Sequence, residues 1–78
     1  LATDLYHEDE KDPHENLSNR EFEILKMIAK GLTTKAIATE LIISPKTVST
    51  YRGRILEKLN IKSNSDIIHY VIDYNLTD

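Results

Sequence analysis

The stretch from Leu32 to Leu56 carries two helical patterns separated only by Ile42-Ile43-Ser44. Two helices joined so tightly must meet at a large angle and share one core. Ser44 stands where it caps the second helix, and Pro45 takes the first helical position, where a missing N–H costs nothing. With Val48 set at 0° and about 100° per residue, Tyr51, Ile55 and Leu59 fall within about 60° of it and form the face that buries. The opposite face holds Lys46, Thr50, Gly53 and Glu57, with Ser49 and Arg54 on its flanks. No apolar side chain stands among them.

Two further helices frame this pair. Ser18 and Glu21 have the spacing of a capping box, and Leu17 and Phe22 occupy the two positions of a hydrophobic staple. Phe22, Leu25, Ile28 and Ala29 follow at helical spacing, and Gly31 is placed to end that helix in the left-handed conformation. Thr33 caps the second helix, whose inward face is Ile37, Ala38 and Leu41. Ser63 and Asp66 repeat the capping-box spacing before a fourth helix, which contains Ile67, Ile68, Val71 and Ile72 and ends near Leu76. There is no strand pattern and no internal repeat. The expected fold is all-α, a four-helix (tetrahelical) helix-turn-helix domain over 17–78.

Composition narrows the possibilities. A chain of 78 residues buries only roughly 60% of its unfolded surface. With no cysteine to supply disulfides or thiolate ligands, its stability must come from packed helices. Neither a signal peptide nor an apolar run near the roughly 20 residues of a membrane span is present, so a cytoplasmic location is expected, with no membrane partner. Beginning at Leu1 rather than Met, the chain reads as a piece of a longer one.

The net charge of −3 hides a segregation. Residues 1–16 carry Asp4, Glu8, Asp9, Glu10, Asp12 and Glu15 against Lys11, a net −5. They read as an acidic interdomain linker or tail, disordered for want of apolar residues. Residues 17–78 hold nine Lys and Arg against seven Asp and Glu, and within 44–62 five basic residues face Glu57 alone. A basic stripe along one helix is by itself compatible with a solvated face. Its coincidence with the helix-turn-helix pattern points to DNA.

A B-DNA major groove admits one α-helix, whose N-terminal residues meet the base edges. That placement makes Lys46, Ser49, Thr50 and Gly53 the base-facing positions. Hydroxyls donate or accept to several bases, and a Thr methyl can contact a thymine methyl. A glycine inside a helix costs about 1 kcal/mol relative to Ala. Gly53 is either a tolerated exposed glycine or a device for close approach to DNA. Arg52, Arg54, Lys58 and Lys62 are read as phosphate contacts along the groove walls. Thr33, Thr34 and Lys35, at the N-terminus of the second helix, offer open N–H groups for another phosphate.

These residues resemble a known family. Leu17-Ser-Asn-Arg-Glu21, Glu23-Ile24-Leu25, Ile28-Ala29-Lys30-Gly31, Lys35-Ala36-Ile37-Ala38, Leu41-Ile42-Ile43-Ser44, Lys46-Thr47-Val48, Ile55 and Lys58-Leu59 are similar to the LuxR/FixJ/NarL-type helix-turn-helix domain. The stretch from Lys46 to Leu59 most resembles the subgroup with BvgA- and EvgA-like regulators. The resemblance implies the output domain of a bacterial two-component response regulator that binds promoter DNA at paired half-sites as a dimer. It also implies an upstream receiver domain phosphorylated on Asp, and RNA polymerase as a partner. Many members place Lys or Arg where Ser49 and Gly53 stand, His where Tyr51 stands, and Glu where Ala36 stands. The family's base-reading Lys pair is therefore not carried over, and specificity is expected to lean on DNA shape.

In this family the last helix forms the dimer contact, which here points to His69, Tyr70 and Asp73. Exposed aromatics suit interfaces, although Tyr70 and Tyr74 are equally read as covering the domain's own core. Catalysis has no support: His69 has no evident nucleophile or ligand partner, and no cofactor or metal is expected. His7, Glu8, Asp9 and His14 make at best a weak chelating set. Two alternatives stay open, a sigma-factor-like promoter-recognition domain and a helical protein-interaction module.

Overall fold

The computed structural model describes residues 12–76. The acidic stretch before Asp12, with His7, Glu8 and Asp9, lies outside the described residues. A 3-10 turn at Pro13–Asn16 precedes four α-helices: α1 (Asn19–Ala29), α2 (Thr34–Leu41), α3 (Pro45–Leu59) and α4 (Asn64–Asp73). The fold is all-α, with no strand among the described residues.

Each helix begins where its cap places it. Ser18 Oγ accepts the Glu21 N–H at 3.1 Å, while the Glu21 carboxylate accepts the Ser18 N–H at 2.8 Å. Thr33, Ser44 and Ser63 accept from the N–H groups of Ala36, Thr47 and Asp66, each at 3.1 Å. Such caps satisfy donors that helix N-termini leave open, each worth about 1 kcal/mol.

The helix ends are equally local. Gly31 adopts φ 93°, and Leu32 N–H returns to the Met27 carbonyl at 3.2 Å. Asn60 closes α3 at φ 56°, a conformation that Asn tolerates. Ile42 closes α2 at φ 57° and is 90% exposed. A β-branched residue in this region is strained by about 1–2 kcal/mol. The short turn into α3 imposes the conformation, and Ile43 N–H completes it on the Ala38 carbonyl at 3.0 Å. The fourth helix stops at Asp73, three residues before the expected end, because Asn75 turns to φ 53° and folds Leu76 back over Val71.

Helix α1 is the hub, packing against α2, α3 and α4. Ile24 and Leu25 from α1, Ile37 from α2, Val48 and Ile55 from α3, and Ile67 and Val71 from α4 are essentially inaccessible. Phe22, Tyr51 and Leu41 pack around this centre half-buried. Ile72, read as inward-facing, is instead 64% exposed. The inward arc of α4 is taken by Ile67 and Val71 and flanked by Tyr70.

The N-terminal turn belongs to this body. Residues 13–16 fall in the stretch read as disordered linker, yet they pack against α3. Asp12 N–H donates to the Glu15 carboxylate at 2.8 Å, and Leu17 N–H to the His14 carbonyl at 3.1 Å. The apolar contacts that this acidic sequence lacks are supplied by the aromatic side chains that receive His14.

Candidate nucleic-acid interface

The second and third helices meet through Ile42, Ile43 and Ser44, and α3 presents one open face. Lys46, Ser49, Thr50 and Gly53 are all exposed on it, opposite buried Val48, Ile55 and Leu59. Thr50 Oγ1 donates to the Lys46 carbonyl at 3.1 Å, a bond that turns the side chain back along the helix. With its proton so used, the hydroxyl presents acceptor lone pairs outward. A Cβ built on Gly53 would meet nothing within 4 Å. The domain's own packing therefore does not require glycine at this position.

The basic residues divide into two groups. Arg54 is exposed, with its guanidinium 5.8 Å from the Tyr51 ring centre, close enough for a cation–π contact that steers the side chain. Lys46, Lys35 and Lys62 are exposed, Thr33 is exposed beside them in sequence to half-buried Thr34, and Thr33 Oγ1 holds the α2 cap. Arg52 behaves differently. Its Nε donates to Asn64 Oδ1 at 2.8 Å, tying α3 to the first residue of α4 rather than standing clear on the groove wall.

Lys58 departs furthest from its expected place. Its ammonium lies 2.8 Å from the Glu21 carboxylate and 3.3 Å from the Asn16 carbonyl. Glu21 is 2% exposed. Burial alone would raise its pKa, but hydrogen bonds from Lys58 and Ser18 and the Lys58 charge outweigh this and hold it below the ordinary value. Lys58 is thus withdrawn from the phosphate set as a structural cation. The capping-box spacing marks Glu21 in the sequence, but nothing local marks its partner.

On α4, His69 and Asp73 are exposed, whereas Tyr70 turns toward the N-terminal turn. The Tyr70 hydroxyl accepts the His14 N–H at 3.0 Å and lies 2.9 Å from the His14 ring Nδ1. The Tyr70 and Tyr74 rings stack at 4.3 Å, and the His14 ring meets them edge-on at 5.7 and 5.3 Å. Burial pushes the Tyr70 hydroxyl above the ordinary phenol value, against the His14 N–H bond, which lowers it. On the C-terminal half of α4 the open residues are therefore His69, Ile72 and Asp73, with Ser65 and Asp66 exposed ahead of them. Among the described residues no cluster of His, Cys, Asp or Glu could hold a metal, and no helix is long and apolar enough to cross a membrane.

A four-helix body whose second and third helices form a helix-turn-helix, with a polar and basic third helix outward, defines a class of regulatory domain. The chain belongs to the luxR family of bacterial regulatory proteins, whose sequence profile matches residues 15–71. It is 45% identical over 67 residues to the oxygen regulatory protein NreC of Staphylococcus carnosus (strain TM300). It is 43% identical to NreC of Staphylococcus haemolyticus (strain JCSC1435) and 42% identical to that of Staphylococcus aureus (strain JH9), each over 67 residues. In all three the match covers 86% of this chain and 31% of the relative.

Proposed function

We propose that this chain is the DNA-binding output domain of a response regulator, which reads promoter DNA through α3 and controls transcription. The observation that carries this reading is the segregation along α3. Every large apolar side chain of that helix lies on the buried or half-buried side, and the open side holds only small, hydroxylic and charged groups. Lys46, Ser49, Thr50 and Gly53 would face base edges, while Arg54, Lys62, Lys35 and the α2 N-terminus would take phosphates. Glu57 lies farther along the same open face, so repulsion from phosphate favours entry by the first two turns of α3.

Dimerisation on DNA is assigned to the open side of α4. Ile72 supplies the apolar centre that His69 and Asp73 lack, and it replaces Tyr70, whose hydroxyl is held by His14. The relatives' greater length leaves room for the receiver domain that this reading places upstream. Selection of bound duplexes from a random pool, followed by sequencing, tests the proposal. Two related inverted half-sites about one helical turn apart are expected. Recovery of unrelated sequences, with affinity set by salt alone, would exclude specific reading.

A further inference from the structure

Two contacts of the N-terminal turn reach different helices. His14 holds Tyr70 on α4 through its backbone N–H and its ring, and its ring also meets Tyr74. Two residues on, the Asn16 carbonyl accepts from Lys58 on α3. Helix α4 packs chiefly on α1, and the Arg52–Asn64 hydrogen bond ties its first residue to α3. Its C-terminal half, where Ile72 and Asp73 stand, is held on α1 by buried Val71, and the turn adds a second link from that half to the α3 side.

We infer that residues 12–16 form a clasp that fixes the C-terminal half of α4 relative to α3, and that occupancy of paired half-sites depends on the clasp being closed. The inference rests on the reading of α3 as the DNA-contacting helix and α4 as the pairing helix. Two copies seated on one duplex must match the distance between their α3 helices to the spacing of the half-sites. That distance is set by the angle between α3 and α4 in each copy. A single copy on one half-site has no such requirement. The clasp therefore acts on pairing and leaves single-site affinity alone.

The test uses the full chain and its variants His14→Ala and Tyr70→Phe, with duplexes carrying one or two of the half-sites obtained by selection. Tyr70→Phe keeps the ring stack and removes only the hydroxyl that His14 grips. Native-state hydrogen exchange first reports the clasp, since the His14 amide donates to that hydroxyl. Faster exchange of the His14 amide is expected in Tyr70→Phe, which removes its acceptor, and faster exchange across the last turn of α4 in both variants. With it, we expect unchanged affinity for one half-site and about fivefold weaker cooperativity on two, the worth of roughly one hydrogen bond. Unchanged cooperativity in Tyr70→Phe, whose His14 amide is freed, would overturn the inference, as would equal losses on one and two sites in either variant. If the unaltered chain itself fails to discriminate half-sites, the underlying DNA reading falls and the inference with it. Discrimination of single half-sites without any cooperativity sinks the pairing role alone.

Discussion

The Glu21 carboxylate, 2% exposed at the start of α1, accepts from the Lys58 ammonium near the end of α3 at 2.8 Å. The same oxygen accepts the Ser18 N–H at 2.8 Å. One buried acid therefore closes the first turn of α1 and anchors the helix proposed to enter DNA. The two members of the ion pair differ in what they can do when left alone. Lys58 retains 39% side-chain exposure and can turn to water, whereas Glu21 cannot.

That asymmetry orders two substitutions. Lys58→Ala strands a buried carboxylate and should cost about 3 kcal/mol of unfolding free energy. Glu21→Gln keeps an oxygen for Ser18 and releases Lys58 to solvent, for a cost of about 1–2 kcal/mol. Urea denaturation at neutral pH measures both, and the reverse order would contradict the assignment.

The same pair predicts an acid dependence. The folded-state pKa of Glu21 lies below its ordinary value, which is about 4.3 in an unfolded chain. The stabilisation is therefore complete above that value and is lost as pH falls through it toward the folded pKa. The stability gap between the unaltered chain and Glu21→Gln should shrink across this window. A gap that stays constant from pH 7 to about pH 3 would show that the carboxylate is not the titrating group.

Ile42 holds φ 57° with its side chain in solvent, so strain is present and burial is not. Replacing it by Asn or Gly should stabilise the domain by about 1 kcal/mol. Thermal unfolding would register a higher Tm, and an unchanged or lower one would mean that the Ile42 side chain makes contacts in solution that offset the strain.

Gly53 has open space where a side chain would stand. Gly53→Ala should raise the stability of the unbound domain by about 1 kcal/mol. If α3 seats against base edges at this position, the same methyl should weaken DNA binding about tenfold. Stability and affinity rising together would return Gly53 to the status of a tolerated surface glycine.

Arg54 and Thr50 should fail in different ways. Arg54→Ala is expected to weaken binding to all duplexes and to lower the slope of log K against log salt by about 1. Thr50→Ala should relax preference at one or two base pairs by about 1–3 kcal/mol. Equal losses on every duplex for Thr50→Ala would remove it from the base-facing set.

The sequence alone determined what depends on residues three to five apart. Ser18 with Glu21, Thr33 with Ala36 and Ser44 with Thr47 mark the helix starts, and Gly31 marks an end, because caps are local hydrogen bonds. The periodicity of Val48, Tyr51, Ile55 and Leu59 likewise set the outward face of α3, since one helix wheel fixes both of its sides. What lay beyond reach was which flank of each helix finds a partner. Lys58 and Glu21 are 37 positions apart, and His14 and Tyr70 are 56 apart. Periodicity gave α4 an apolar set containing both Val71 and Ile72 and put Tyr70 on its polar side. In the folded domain the N-terminal turn covers Tyr70, while Ile72 stands 64% exposed. An exposed lysine and a structural one look alike in sequence. Packing distinguished Lys58 from Lys62 by bringing a buried carboxylate to one of them.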